Sequence, residues 1–200
     1  MRASTTTGSV FLRPWLLWTA GFLSFPLAGI AGGAVAGRVD DPMAALAGGV
    51  VTGLVIGAGQ SLASSRRLEP RRWIVATAVG MGLGLLLGAT AVGFGTALAD
   101  LAVMGALTGL LLGPAQALAL PAPTTHRLVW AAAIPLLWAL GWTLTTFGGI
   151  DVDKQYTVFG AIGAVTFSAL SGALLHRLLP ARRAADHPGE HLAHTSGGTP

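Results

Sequence analysis

The chain of 200 residues contains no cysteine, one tyrosine and few charges, with Asp, Glu, Lys and Arg together making up 10%. Without cysteine, disulfides and thiolate metal sites are excluded. The shortage of charge excludes an ordinary water-soluble domain, in which about a quarter of the residues are charged. Hydrophobic residues reach 52% and the mean hydropathy is +0.67. What little charge there is sums to +4, and the sequence pI is about 11.1. That balance could suit a nucleic-acid binder, but the placement of the arginines has a simpler cause.

Cutting the chain at its charged residues leaves six long uncharged windows, at 14–37, 42–65, 73–99, 101–126, 128–150 and 155–176. Each exceeds the roughly 18–20 apolar residues that carry a helix across a bilayer. Membrane strands alternate apolar and polar residues in short segments, whereas these windows are apolar on every side. Since backbone groups cannot face lipid unpaired, helices are the expected form. The sequence therefore predicts an all-α, polytopic membrane protein with six spans, at about 15–37, 43–63, 73–95, 101–120, 128–147 and 157–176. A polar segment at 1–13 precedes this 14–179 transmembrane domain, and a low-complexity tail at 180–200 follows it.

The charges sort by side. Alternate gaps hold Arg2, Arg13, Arg66, Arg67, Arg71, Arg72, Arg127, Arg177, Arg182 and Arg183. The other gaps hold only Arg38 and Lys154, together with Asp40, Asp41, Asp100, Asp151 and Asp153. The positive-inside rule then places both termini in the cytoplasm and the acidic turns outside, in an inner (cytoplasmic) membrane. This topology accounts for the basic residues without nucleic acid. A cleaved signal peptide ending near AVA at 34–36 is the rival reading of the first span, but its apolar core exceeds the roughly 7–15 residues of such signals. Pro26 is expected to kink that span. Trp15, Trp18, Trp73 and Trp130 are expected at the interfacial depth that tryptophan favours.

The clearest internal pattern is GVVTGLVIGAGQ at 49–60, which returns as GALTGLLLGPAQ at 105–116 and more faintly as GAVT at 163–166. With Trp15, Trp73 and Trp130 each opening the following or preceding span at a similar spacing, the unit is one hairpin used three times in the same orientation. Parallel repeats of this kind set a pseudo-symmetry axis along the membrane normal. Stripes of small residues run through the copies: Gly49, Gly53 and Gly57, then Gly105, Gly109 and Gly113, then Gly163. Gly29, Gly33 and Gly37, as well as Gly80, Gly84 and Gly88, have the same spacing, and Gly160, Ala164, Ser168 and Gly172 make a looser stripe. Such faces let helices approach closely, within a chain or between copies.

The polar members of the repeat are Thr52, Thr108 and Thr166, and Gln60 and Gln116. The threonines are expected to bond a carbonyl one turn back. The alternative is a pore lined by all three. The glutamines lie toward span ends, where interfacial or interhelical hydrogen bonding is favoured over a substrate site. Catalysis has few candidates, because no Asp, Glu, Lys or Arg lies inside a window. Ser171 and His176 are five residues apart and so point about 140° apart on a helix. His187, His191 and His194, with Asp186 and Glu190, could hold a metal only if helical, and Pro188 and Gly189 interrupt a helix there.

The unit resembles bacterial multi-pass membrane proteins built from hairpins with a Gly-x-x-Gln motif, then Leu and paired arginines, then a Trp-led helix. GAGQSL at 57–62, Arg66, Arg67 and WIVATAVG at 73–80 carry the likeness, and GPAQAL at 113–118 with Trp130 carries it again. Those proteins often have tryptophan after the glutamine, where this chain has Ser61 and Ala117. The likeness covers spans two to five and implies topology without an activity. The sequence thus reads as a non-catalytic helix-packing or assembly component with no cofactor. Its partners are lipid and either a membrane protein or a second copy. The alternative is a small-solute transporter or channel along the repeat axis.

Overall fold

The computed structural model describes residues 6–149 and 156–179, and all regular structure among them is helical. The elements are α1 (Thr6–Ala20), a 3-10 turn (Gly21–Leu23), α2 (Ser24–Ala36), α3 (Pro42–Ala63), α4 (Pro70–Ala91), α5 (Leu98–Ala119), α6 (Thr124–Phe147) and α7 (Ala161–Leu178). Six stretches are long and apolar enough to cross a bilayer, the first being Phe11–Ala36, which joins α1 to α2 through the 3-10 turn. A helix of 22 residues, such as α3, α4 or α5, is about 33 Å long at ~1.5 Å per residue. That covers a hydrocarbon core of about 30 Å.

Local chemistry fixes the ends. Asp41 caps α3, accepting from the N–H groups of Met43 and Ala44 at 2.7 and 2.9 Å. Glu69 caps α4 in the same way, accepting from Arg71 and Arg72 at 3.1 and 2.6 Å. Pro42 and Pro70 follow as first helical residues, where a missing N–H costs nothing. Gly37 ends α2 with φ of 66°, a left-handed conformation that side chains disfavour.

The helices form a closed ring in the order α1–α2, α3, α4, α5, α6, α7, with α7 returning to α1. Each neighbour is antiparallel to the last. One rim gathers the arginine-bearing ends, where Arg67 Nη1 lies 3.4 Å from both His176 Nδ1 and the Leu179 carbonyl. There too, Arg127 Nε donates to the Leu120 carbonyl at 3.1 Å and His126 Nδ1 to that of Leu178 at 2.9 Å. These donors satisfy carbonyls that a helix end leaves unpaired. The opposite rim brings together Val39, Phe94, Gly95, Thr96, Leu101 and Tyr156, and Arg38 sits 4.0 Å from Asp40 there.

Glycines set the ring's spacing. A Cβ on Gly49 would lie 2.7 Å from the Met81 carbonyl oxygen, and one on Gly53 2.7 Å from Ala78 Cα. Gly57 likewise faces Ile74. Thus the α3 stripe meets α4. Gly80, Gly84 and Gly88 of α4 meet Leu112, Thr108 and Met104 of α5. Gly105, Gly109 and Gly113 of α5 meet Ala139, Pro135 and Ala131 of α6. Gly163 of α7 meets the Gly141 carbonyl and Thr145 of α6. The stripes of α3, α4 and α5 therefore serve contacts inside the chain, whereas in the Gly29, Gly33 and Gly37 stripe a Cβ on Gly33 or Gly37 would meet nothing within 4 Å.

Several boundaries differ from the sequence reading. Residues 6–13, within the polar segment that precedes the first predicted span, are helical and continue into it. The first span is interrupted at 21–23, one turn before Pro26, because Pro26 has no N–H for the Phe22 carbonyl; Ser24 N–H bonds Gly21 and Phe22 instead. Asp100 falls inside the first turn of α5, where a negative charge suits the helix dipole. The helix of the sixth span, α7, starts at Ala161, and 157–160 is not helical. Trp18, Trp73 and Trp130 turn into the bundle and are buried there, not exposed on its outer face, and Trp15 is half-buried. Asp151, Asp153, Lys154 and the tail with His187, His191 and His194 lie outside the described residues.

Gly53→Ala and Gly109→Ala are expected to lower stability in mild detergent by about 1–3 kcal/mol each, the usual cost of overpacking. Gly33→Ala, with no atom within 4 Å of its added Cβ, should leave the melting temperature unchanged or slightly raised. Equal behaviour of the three variants would contradict the contact assignment.

Candidate functional site

The two glutamines of the repeat converge on the ring's axis near the arginine-rich rim. Trp73 sits in the first turn of α4 and Trp130 two turns into α6, both fully buried. An indole N–H in such a place needs an acceptor. Trp73 Nε1 donates to Gln60 Oε1 at 3.0 Å, and Trp130 Nε1 to Gln116 Oε1 at 3.2 Å. In each case the glutamine ends one helix of the ring and the tryptophan begins the next. Gln116 Nε2 then donates to Thr77 Oγ1 at 3.1 Å and approaches Gln60 Oε1 at 3.4 Å. Thr77 Oγ1 in turn donates to the Trp73 carbonyl at 2.8 Å. The two amides thus link α3, α4, α5 and α6 in one buried network.

The rings make the second half of the site. Trp18, Trp73 and Trp130 form a triangle with centroids 5.9–6.5 Å apart and steep interplanar angles of 64–83°. Edge-to-face contact of this kind is favoured by the ring quadrupoles. Trp18 Nε1 donates to Ser171 Oγ at 3.1 Å. The third corner is therefore Trp18, and not Trp15, whose indole donates to the Ala169 carbonyl at 2.9 Å. The position of α7 that matches Gln116 by sequence holds Leu174, which cannot accept. One turn of register brings Trp18 to Ser171 instead.

Farther along the axis lies a second aromatic cluster of Phe25, Trp138, Phe159 and Phe167, with centroids 4.7–6.2 Å apart. Phe159 reaches it from the non-helical segment 156–160, whose Thr157, Val158 and Phe159 are all buried. Irregular backbone at such depth is tolerated only inside protein. Here its groups find partners. Gly160 N–H donates to Thr145 Oγ1 at 3.0 Å, and Thr52 and Thr157 share a hydroxyl hydrogen bond at 2.8 Å. Gly32 and Gly48 leave the room: a Cβ on either would lie 2.6 Å from Thr157.

The three repeat threonines part company. Thr108 bonds the Met104 carbonyl one turn back at 2.8 Å. Thr52 instead reaches Thr157 and, at 3.3 Å, the Ala28 carbonyl on α2. Thr166 is only half-buried, and the threonines share no cavity among those resolved. Ser171 and His176 are likewise separated in role, the first held by Trp18 and Ser168, the second by Arg67 and the ring of Phe11. Among the described residues no cluster of His, Asp and Glu could hold a metal. Thr77, Thr157 and Ser171 were missed by the repeat pattern. Thr77 could have been found, because it stands one helical turn after Trp73.

No protein-family model matches the chain, and no curated protein or solved structure matches it.

A double-mutant cycle of Gln116→Leu with Trp130→Phe, read by unfolding in mild detergent, should give a coupling of about 0.6–1.7 kcal/mol, the range of interhelical hydrogen bonds in membranes. Additive effects would mean that the indole and the amide are not paired.

Proposed function

We propose that this chain is a multi-pass protein of the bacterial cytoplasmic membrane that acts as a non-catalytic packing scaffold. It is built from three parallel hairpins, with both termini in the cytoplasm. The observation that carries this reading is the filled axis. Trp18, Trp73 and Trp130 block one end, and Phe25, Trp138, Phe159 and Phe167 occupy the middle. Interlocked rings at van der Waals contact leave no hydrated path for a solute. The glutamines and threonines on that axis bond to one another and to indoles, so they have little capacity left for a ligand. The sidedness is supported by the arginine-rich rim and the positive-inside rule. The bacterial assignment is supported by the likeness of the hairpin motifs to bacterial proteins. A membrane partner would have to meet the outer faces of the ring, because the stripes on α3, α4 and α5 already face neighbouring helices.

One feature favours the alternative of a transporter. Broken backbone beside a polar pair, as at Thr157 and Thr52, is how secondary transporters build midplane sites. In this reading the 156–160 segment is the moving part.

Reconstituted in proteoliposomes, the chain should pass ions and small solutes no faster than empty vesicles. Flux that Thr52→Val abolishes would sink the scaffold reading in favour of the transporter. Sidedness has a separate test, made simple by the lack of cysteine. Pro121→Cys and Asp40→Cys each create the sole thiol. In intact cells an impermeant maleimide should label Asp40→Cys and spare Pro121→Cys, and labelling of both or of the reverse set would overturn the topology.

A further inference from the structure

The outer face of the ring has a groove of about 660 Å³ between the start of α4 and the end of α5. Its floor is made of Ala76, Ala115 and Ala119, and its apolar walls of Val75, Val79 and Leu118. Arg71 and Arg72 stand at its mouth. The groove follows from the packing already described. Gly80 brings α4 against Leu112 of α5, and beyond it toward the arginine-rich rim Trp73, Thr77 and Gln116 fill the inner side of the pair. The outer side has only alanine between the helices, so the cleft opens outward.

We propose that this groove binds one anionic phospholipid of the cytoplasmic leaflet, with its phosphate on Arg71 and Arg72 and one acyl chain along the alanine floor. The dimensions agree. Arg71 to Val79 spans about 12 Å of helix, close to the roughly 15 Å half-thickness of the hydrocarbon core. So the guanidinium groups sit at headgroup level while the groove runs through the leaflet. Arginine pairs bind phosphate oxygens through planar, charge-assisted hydrogen bonds. Basic pockets between spanning helices on the cytoplasmic side are suited to anionic headgroups. The nearest carboxylate, Glu69, is taken up by the N–H groups of Arg71 and Arg72 as a helix cap. Among the described residues no carboxylate forms an ion pair with either guanidinium, the ion pair found there being Arg38–Asp40 on the other rim. The charge is also particular to this cleft. At the matching start of α6 the residues are Leu128 and Val129, both exposed and uncharged.

The inference rests on the bilayer location proposed above. If that location is wrong, the chain will be recovered in the soluble fraction. If only the lipid site is wrong, the chain will stay in the membrane without a headgroup preference. The test is native mass spectrometry of the full chain in mild detergent, titrated with phosphatidylglycerol or phosphatidylcholine. Phosphatidylglycerol should bind first and at lower concentration. Arg71→Gln with Arg72→Gln should weaken it about 30-fold, from roughly fivefold per arginine near a membrane surface, and weaken phosphatidylcholine, whose phosphate is neutralised by its own ammonium, much less. Arg13→Gln with Arg66→Gln removes the same charge elsewhere on the rim and should change binding less than about threefold. Ala76→Phe, which fills the floor and keeps both arginines, should weaken both lipids. Equal affinity for the two lipids in the native chain, or equal loss in the two arginine pairs, would overturn the proposal.

Discussion

Close backbone approach is the constraint from which the rest of the ring follows. In lipid, apolar side chains gain nothing by leaving the solvent, so helices associate through packing and through polar bonds. The glycine stripes supply the packing in a relay. Those of α3 seat α4, those of α4 seat α5, and those of α5 seat α6. Because the small residues lie at the contacts between neighbours, the large ones are left to the axis and to the outer face. The aromatic centre is therefore a consequence of the glycine periphery.

The second contribution is polar and more local. Each indole of the tryptophan triangle is paired, Trp73 with Gln60, Trp130 with Gln116, and Trp18 with Ser171. Bonds of this kind fix rotation and register where packing of small residues alone would permit sliding. They are also uneven. Thr77 joins the network beside Trp73, whereas Ile134 stands at the equivalent place near Trp130 and joins the apolar core. The two Trp–Gln corners consequently have distinct surroundings.

Much of the architecture is legible in the sequence. Uncharged windows separated by arginines or aspartates locate six apolar helices, because a charge inside lipid is costly enough to keep Asp, Glu, Lys and Arg at the ends. The Gly and Gln spacings point to interhelical contact. What periodicity does not give is the partner of each face, so the relay of stripes emerges only in three dimensions. Nor does it give direction: Trp73 in a first turn reads as an interfacial anchor, yet the ring curves it inward to Gln60. The segment at 156–160 is as apolar as a helix, and hydropathy alone merges it with α7. Its β-branched Thr157 and Val158 followed by Gly160 are the signs of an extended entry. The tryptophan triangle hides a shift of one turn, because Trp15 matches the repeat by number while Trp18 matches it in space.

Ring closure has a consequence for how the chain is made. The bond from Trp15 to Ala169 and that from Trp18 to Ser171 join residues 154 and 153 positions apart. Ribosomes add about 5–20 residues per second, so the two indoles on the first helix wait roughly 8–30 s before their acceptors are made. For that interval the N-terminal helix must be held beside an open-sided bundle, by lipid or by the insertion machinery, with two donors unpaired.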